Sequence, residues 1–500
     1  MNKKYQRREV IKLMGLSGFS LLLPSCNLSN PSETANSPLL NEDSIESKPQ
    51  LKKEEIFDYF KSENVSYLKK EDPQYPKNNI SFNLRIQQEP QIIALCENTM
   101  GVQEAVKYAL ENKLQINVKS GGHSFEGFSS NTGGIQINLS LMNKMHWENE
   151  STLIAQPACL LKELYDETLP KKRILPAGSC GTVGLAGLTL GGGYGFFSRK
   201  YGLSCDHLLE ATMIDGEGRM VKTKDDPKLL WALKGGGNGN FGIVTELKFK
   251  TQPAPKGFTR HRFKAYKLDS NRAKDILATW FRTSSLLPNH AFSAFVLNGK
   301  TLTILLTHYE KTDSEIESMV KELDKVCDKT SRGGERDLAK SLKTYYGVQE
   351  PIYFKNSSAG YYQNFQEIEN YIVEILEKVI GGKGLIYQIN TLGGNIEDPE
   401  KESQSCYPHR KFGFLSELQA YWDEGRNPEK IISGFDEIQE IFYNKGIRRQ
   451  YRNYPNLKFK EWESAYWGED NYKELQKVKM TYDPNNRIFH PQSIKPLNSV

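Results

Sequence analysis

Two side chains able to bond to carbon stand in glycine-rich turns: His123 in VKSGGHSFEG (118–127) and Cys180 in PAGSCGTVGLAGLTLGGGYG (176–195). An apolar, β-like run leads into each, LQINV (114–118) and RILPA (173–177). Glycine has no Cβ, so its backbone N–H groups can crowd around an anion, and such loops cradle phosphates. A nucleophile within or beside a cradle can be presented to the ring of a dinucleotide whose pyrophosphate the amides hold. Neither loop carries the G-x-G-x-x-G between strand and helix, with an acid about 20 residues on, that marks a Rossmann site, which disfavours NAD.

Each residue alone also has a plainer reading. A histidine in a glycine-rich turn is commonly a polar loop residue, and an unpaired cysteine is more often a small buried hydrophobe than a nucleophile. The seven cysteines (Cys26, Cys96, Cys159, Cys180, Cys205, Cys327, Cys406) include no CxxC pair, so no metal site is expected, nor a disulfide framework at this length. The conjunction of both loops with further segments in a fixed order carries more weight than either loop.

Those segments are 72–124, GGIQINLSLMNKM (133–145), YGLSCDHLLEATMIDGEG (201–218), DDPKLLWALKGGGNGNFGIVTELKFK (225–250), NTLGGNIED (390–398), SCYPHRKFGFLSELQAYW (405–422), YRNYPN (451–456) and 472–494. With the two loops, they resemble the FAD-linked oxidases of the berberine bridge enzyme type, in the vanillyl-alcohol oxidase superfamily with PCMH-type FAD-binding domains. In that family a histidine and a cysteine tether opposite edges of the isoalloxazine ring, so the resemblance implies FAD held covalently at His123 and Cys180. It implies cofactor contacts from Lys119, Ser120, Gly121, Gly122 and Ser124; from Val183, Gly184, Gly187, Gly191, Gly192 and Tyr194; and from Gly242, Val244 and Asn453. Asn240 and Phe241 are expected to pack near the cofactor, and Gly235 to Gly237 to serve a turn.

The chain departs from the family pattern at named positions. Gly181 replaces the proline usual after the cysteine, Leu188 stands where plant members carry a histidine, and Lys119 stands where an arginine is usual, a point charge instead of a fork. Val183 falls at the position thought to gate oxygen.

The implied catalytic residues lie late in the chain. Glu417 sits in the strand-like FLSELQAYW (414–422), where period-two alternation puts Glu417, Gln419 and Tyr421 on one face. That face lines a cavity or is the wet side of an edge strand. Tyr451 and Tyr454 form a second set, and a phenol needs a nearby cation or base to work as a base at neutral pH; packing at a domain junction is the alternative.

The fold implied is α+β: a two-part PCMH-type FAD-binding domain plus a substrate domain with an antiparallel β-sheet backed by helices. With 500 residues, 38% hydrophobic and 25% charged, the chain can bury a large core and divide into at least two domains. The expected divisions are a signal peptide over 1–25, a disordered tether over 26–70, the first part of the FAD domain over 71–255, the substrate domain over 256–440 and a returning segment over 441–500. Local patterns predict a helix near 102–112, a hairpin over 290–310 turning at Asn298-Gly299, and amphipathic helices over 314–330 and 364–380.

At the start, RREVIKL (7–13) precedes the apolar run LMGLSGFSLLL (13–23), too short for the roughly 20 residues that span a bilayer, so an export signal is expected. The paired arginines resemble a Tat signal, and LLPSC (22–26) resembles a lipobox with Cys26 as the lipidated residue, apart from Pro24. The expected location is the bacterial cell envelope or periplasm, with membrane contact only through Cys26. Setting aside the five basic residues and one acid before Cys26 lowers the formal charge from +5 to about +1, which argues against a nucleic-acid partner.

Three functions follow. The first is an oxidase that transfers hydride from a sugar, oligosaccharide or polycyclic metabolite to flavin and passes the electrons to O2. The second is the same flavoenzyme as a dehydrogenase using a quinone or another envelope acceptor. The third is a surface-anchored binding protein on a degenerate scaffold.

Overall fold

The computed structural model describes residues 62–310 and 312–497. The export signal, its paired arginines, Cys26 and most of the expected tether lie outside the described residues.

The chain begins with a four-stranded sheet ordered β1-β2-β4-β3, formed by β1 (Val65–Leu68), β2 (Ile92–Cys96), β3 (Ile116–Lys119) and β4 (Ile135–Asn138). β4 runs parallel to both β2 and β3, which requires crossover connections. The helix Thr99–Glu111 supplies one and buries Val102, Ala105, Val106 and Ala109. It starts ahead of the predicted 102–112 because Asn98 caps it, its Oδ1 accepting the Gly101 N–H at 3.1 Å. β1 corrects the expected boundary: Val65, Tyr67 and Leu68 are buried and paired with β2, so the sheet starts inside 26–70 instead of at 71.

The second sheet is antiparallel, ordered β5-β6-β10-β8-β9. Its strands are β5 (Met145–Asn149), β6 (Thr152–Ala155), β8 (Leu208–Asp215), β9 (Met220–Lys222) and β10 (Gly242–Lys250). The short β7 (Arg173–Ile174) pairs with β11 (Gln252–Pro253) beside it.

The third sheet has eight strands, ordered β15-β12-β14-β13-β18-β19-β17, with β16 also paired to β12. They are β12 (Gly257–Ala265), β13 (Ala291–Asn298), β14 (Thr301–His308), β15 (Lys329–Arg332), β16 (Arg336–Asp337), β17 (Tyr353–Tyr362), β18 (Leu385–Thr391) and β19 (Phe414–Trp422). Alternation sorts the two faces. Phe414, Leu418 and Ala420 of β19 and Phe295 and Leu297 of β13 join Trp280, Leu323, Ile375 and Phe435 from four backing helices in one core. Those helices are Ser270–Ser284, Ser314–Val326, Ile372–Gly381 and Glu429–Asn444. Phe292, Ala294, Ile386, Phe354 and Tyr421 point the other way, into a core shared with the FAD-binding part.

The predicted hairpin forms as β13–β14, with Asn298 opposite Thr301, so its two-residue loop is Gly299-Lys300, one residue beyond the expected turn. Gly299 has φ +52°, which suits glycine. The helix over 314–330 ends at Val326 because residues from Lys329 pair with β12. The helix over 364–380 begins only at Ile372, after a short 3-10 turn at Phe365–Glu367.

Beyond Asn444 the chain returns to the first sheets. Ile116 N–H donates to Arg487 O at 2.9 Å. The fully buried Lys479 donates to Asp483 Oδ2 (2.6 Å), Asn240 O (2.6 Å) and Ile488 O (2.7 Å), tying the last segment to the end of the first half. Burying this ion pair is tolerable only because those acceptors saturate the ammonium.

His409 lies 4.5 Å, ring to ring, from Tyr361, and burial pushes its pKa down to about 3. The unfolded chain therefore binds one more proton here from about pH 6.5 downward, and stability falls as pH drops through that window. Replacing His409 with phenylalanine should flatten the pH dependence of urea unfolding between pH 6 and 4 by about 1.4 kcal/mol per pH unit. An unchanged slope would show that this imidazole is not held neutral.

Candidate active site

The two glycine-rich loops meet backbone to backbone. A Cβ placed on Gly121 would lie 2.4 Å from Gly184 N, and one on Gly184 would lie 2.6 Å from Gly121 N. Only two glycines permit that approach. It is reinforced by His123 Nε2, 3.0 Å from Thr182 Oγ1. The Cys180 loop is anchored in turn: Leu161 and Lys162 N–H donate to Val183 O and Gly181 O, both at 3.0 Å.

The departure at 181 has a structural counterpart. Gly181 N–H donates to Tyr346 O at 2.9 Å, a bond proline cannot make, and the Tyr346 ring occupies the space a Cβ would need. Tyr346 and Gly347, from the eight-stranded-sheet part of the chain, thereby reach the Cys180 loop.

Together these elements enclose a cavity of about 310 Å³, at the lower end of the roughly 300–1,000 Å³ of small-molecule sites. One wall comes from Ser120–Ser124, Gly178–Cys180, Thr182–Gly184, Ala186, Gly187 and Gly237–Gly239; the other is the inner face of β17, β18 and β19. Among the expected cofactor contacts, Ser120, Gly121, Gly122, His123, Ser124, Cys180, Val183, Gly184, Gly187, Tyr194, Gly242, Val244 and Asn453 all line it, and so do Glu417, Tyr451 and Tyr454.

Three expected contacts do not line it. Lys119 turns away because its ammonium donates to Asn78 O (2.8 Å) and Ile80 O (2.6 Å), and burial lowers its pKa to about 8. Gly191 lies behind the wall against Asn453, and Gly192 against Tyr407 and Tyr451. The cation that does line the cavity is Arg452, the only Arg or Lys among the described lining residues. Burial lowers its pKa to about 10, and it is held over Phe128 and 3.0 Å from His490 Nε2.

β19 is an inner strand, flanked by β17 and β18, so the edge-strand reading of Glu417 is excluded. Glu417 is 1% exposed and faces the cavity. Around it runs a network of uncharged polar groups. Asn356 Nδ2 donates to Tyr421 Oη (2.8 Å) and Glu417 Oε1 (3.3 Å), and Tyr421 donates to Gln419 Oε1 (3.2 Å). Gln419 donates to Gln388 Oε1 (3.3 Å), Gln388 to Asn390 Oδ1 (2.9 Å), and Asn390 to Tyr194 Oη (3.1 Å). Tyr194 and Tyr454 share a hydrogen bond at 2.9 Å.

Burial holds the Tyr194 and Tyr454 pKa values well above the usual phenol range, with Glu417 adding to the shift. Both stay protonated at neutral pH. Tyr451 is also raised by burial, and its oxygen accepts from Gly193 N–H (2.9 Å) and Asn453 Nδ2 (3.0 Å), so it fixes the wall. Burial pushes the Cys180 thiol up to about 12 and His123 down to about 3, leaving both neutral.

The donor set suits FAD. A Cβ on Gly187 would meet nothing within 4 Å, so a groove runs along this loop. Among the described residues, Ser129 Oγ, Asn238 Oδ1, Asn356 Oδ1 and Arg452 Nε are buried without a partner around the same space. Such atoms are costly unless a ligand or water completes them. Phe82, Phe125, Thr182, Asn238, Tyr346, Asn356 and Gln388 also line the cavity, and none of them was singled out from the sequence. Phe125 and Thr182 stand inside the two nucleophile loops, where position alone could have marked them; Tyr346, Asn356 and Gln388 carry no local motif.

A family model described as an FAD binding domain matches residues 90–224, and one described as berberine and berberine-like matches 450–495. The first contains both loops and the second contains Tyr451 to Tyr454, so the matches fall on sequence-separated parts of one cavity. The uncharacterized FAD-linked oxidoreductase YgaK of Bacillus subtilis is 28% identical over 441 residues, covering 86% of this chain and 96% of its own length. The chitooligosaccharide oxidase of Gibberella zeae is 27% identical, covering 84% and 90%. The solved structure of BBE-like 1 from Physcomitrella patens matches with a TM-score of 0.79 at 22% identity, covering 87% of this chain and 98% of its own, which shows the shared fold.

The Gly121–Gly184 contact yields a paired expectation. Gly121→Ala should cost about 1–3 kcal/mol in urea unfolding, as overpacking against backbone does, while Gly187→Ala should stay within about 0.5 kcal/mol. Equal effects of the two substitutions would show that the loops are not held at this contact.

Proposed function

The chain belongs to the berberine bridge enzyme-like FAD-linked oxidoreductases, and from that premise we propose that it is an oxidase whose flavin is tethered to His123 and Cys180. The observation that carries this reading is the convergence of both nucleophiles on one cavity whose opposite wall is a polar sheet face. When bound, FAD accepts a hydride from a substrate C–H bond and passes the electrons on; the proposed acceptor is O2.

The chain's own residues do the rest. The backbone of Ser120–Ser124, Gly184 and Gly187, with Arg452 as the nearby cation, holds the dinucleotide. Val183 lines the same groove, and Tyr194, Gly242, Val244 and Asn453 complete that wall. The network of Asn356, Gln388, Asn390 and Tyr421 orients a hydroxyl-rich substrate, since it offers neutral donors and acceptors in a buried setting. This favours a sugar or oligosaccharide over a polycyclic metabolite, in keeping with the name of the chitooligosaccharide oxidase relative. Glu417 takes the substrate hydroxyl proton, because Tyr194 and Tyr454 stay protonated and serve as hydrogen-bond donors.

Peptides from the purified, denatured protein should show FAD bridging the fragments that contain His123 and Cys180, and the folded protein should form peroxide with oligosaccharides. Glu417→Gln should keep the bridge and lose roughly 10²–10⁴-fold in kcat/KM. A colourless protein with unmodified peptides would sink the reading, and full activity in Glu417→Gln would remove the proposed base.

We further propose that the chain is exported to the bacterial cell envelope and anchored through Cys26, on the strength of the paired arginines and LLPSC. Cys26→Ser should then move the protein from the membrane fraction to the soluble fraction. Equal membrane recovery of both proteins would count against the anchor.

A further inference from the structure

His123 is clamped from two directions. Its ring stacks on Phe82, with centroids 3.9 Å apart and planes 20° apart, and its Nε2 lies 3.0 Å from Thr182 Oγ1. Phe82 is itself fixed by backbone bonds, its N–H donating to Gly122 O (3.1 Å) and its carbonyl accepting from Ile352 N–H (3.0 Å). The stack sets the plane of the imidazole, and Thr182 sets its rotation within that plane.

Burial keeps the ring neutral, with a pKa pushed down to about 3. A neutral imidazole carries one N–H and one lone pair. Of the two tautomers, the one whose Nε2–H points at Thr182 Oγ1 leaves the lone pair on Nδ1.

We propose that Thr182 is a positioning residue for flavin attachment: its hydroxyl holds the Nε2–H edge of His123, presents the Nδ1 lone pair for bonding to carbon, and makes attachment at His123 conditional on the Cys180 loop. This rests on the doubly tethered flavin proposed above. In the attachment, a C–N bond forms between Nδ1 and a methyl carbon of the flavin. One proton leaves the methyl group, one leaves Nε2, and with two electrons they reach dioxygen as hydrogen peroxide. A hydroxyl suits this change because it accepts from Nε2–H beforehand and donates to the bare Nε2 afterwards. Valine has the same shape and can do neither.

The test is peptide mass analysis of the full chain as wild type, Thr182→Val and Thr182→Ser. Wild type and Thr182→Ser should carry FAD on both His123 and Cys180, whereas Thr182→Val should keep the Cys180 link and lose at least about tenfold in the His123-linked fraction. Retention of the His123 link in Thr182→Val would overturn the proposal, as would loss of it in Thr182→Ser. A Thr182→Val protein with FAD on neither residue would assign Thr182 to the fold of the loop and also overturn it. Wild type with FAD on neither residue would overturn the tethered-flavin reading itself, an outcome distinct from the others because it needs no variant.

Discussion

The contact between Gly121 and Gly184 is the constraint on which the site depends. Two chain segments that carry the nucleophiles touch through backbone atoms, at distances a Cβ on either side would violate. Because both backbones are fixed in secondary structure or by anchoring hydrogen bonds, neither loop can retreat cheaply. His123 and Cys180 are therefore placed by backbone geometry, and the His123–Thr182 bond refines that placement.

The eight-stranded sheet supplies the second requirement, a buried surface that is polar without being charged throughout. Its helix-facing side is an apolar core, while Asn356, Gln388, Asn390 and Glu417 face the cavity from three adjacent strands. Burying these groups costs free energy unless each finds partners. The chain meets that cost by linking amides and phenols in sequence from Asn356 to Tyr454, which also couples the sheet to Tyr194 of the FAD-binding part. Atoms left over, such as Asn356 Oδ1, define where a ligand is needed.

Much of this is legible in the residues. The alternation in 414–422 places Glu417, Gln419 and Tyr421 on one face, and in the structure Glu417 and Tyr421 line the cavity while Tyr421 donates to Gln419 Oε1. Whether that face is wet depends on β17, a partner strand distant in sequence, and no local pattern reports it. Lys119 stays off the cavity wall for a similar reason: the carbonyls of Asn78 and Ile80 that accept from it belong to a separate loop. The tether boundary falls earlier than expected because polar neighbours mask the short β1, whose burial comes from pairing with β2.

Residue order and composition alone establish the family resemblance, the two glycine-rich loops, the α+β division and the residue types able to hold a flavin, because all of these depend on local pattern. Packing in three dimensions settles which of those residues share a cavity, that β19 is interior, that Arg452 instead of Lys119 is the cation at the wall, and that Thr182 and Phe82 clamp His123. The physical reason is that such contacts join segments distant in the chain, so their geometry is set by packing and not by spacing.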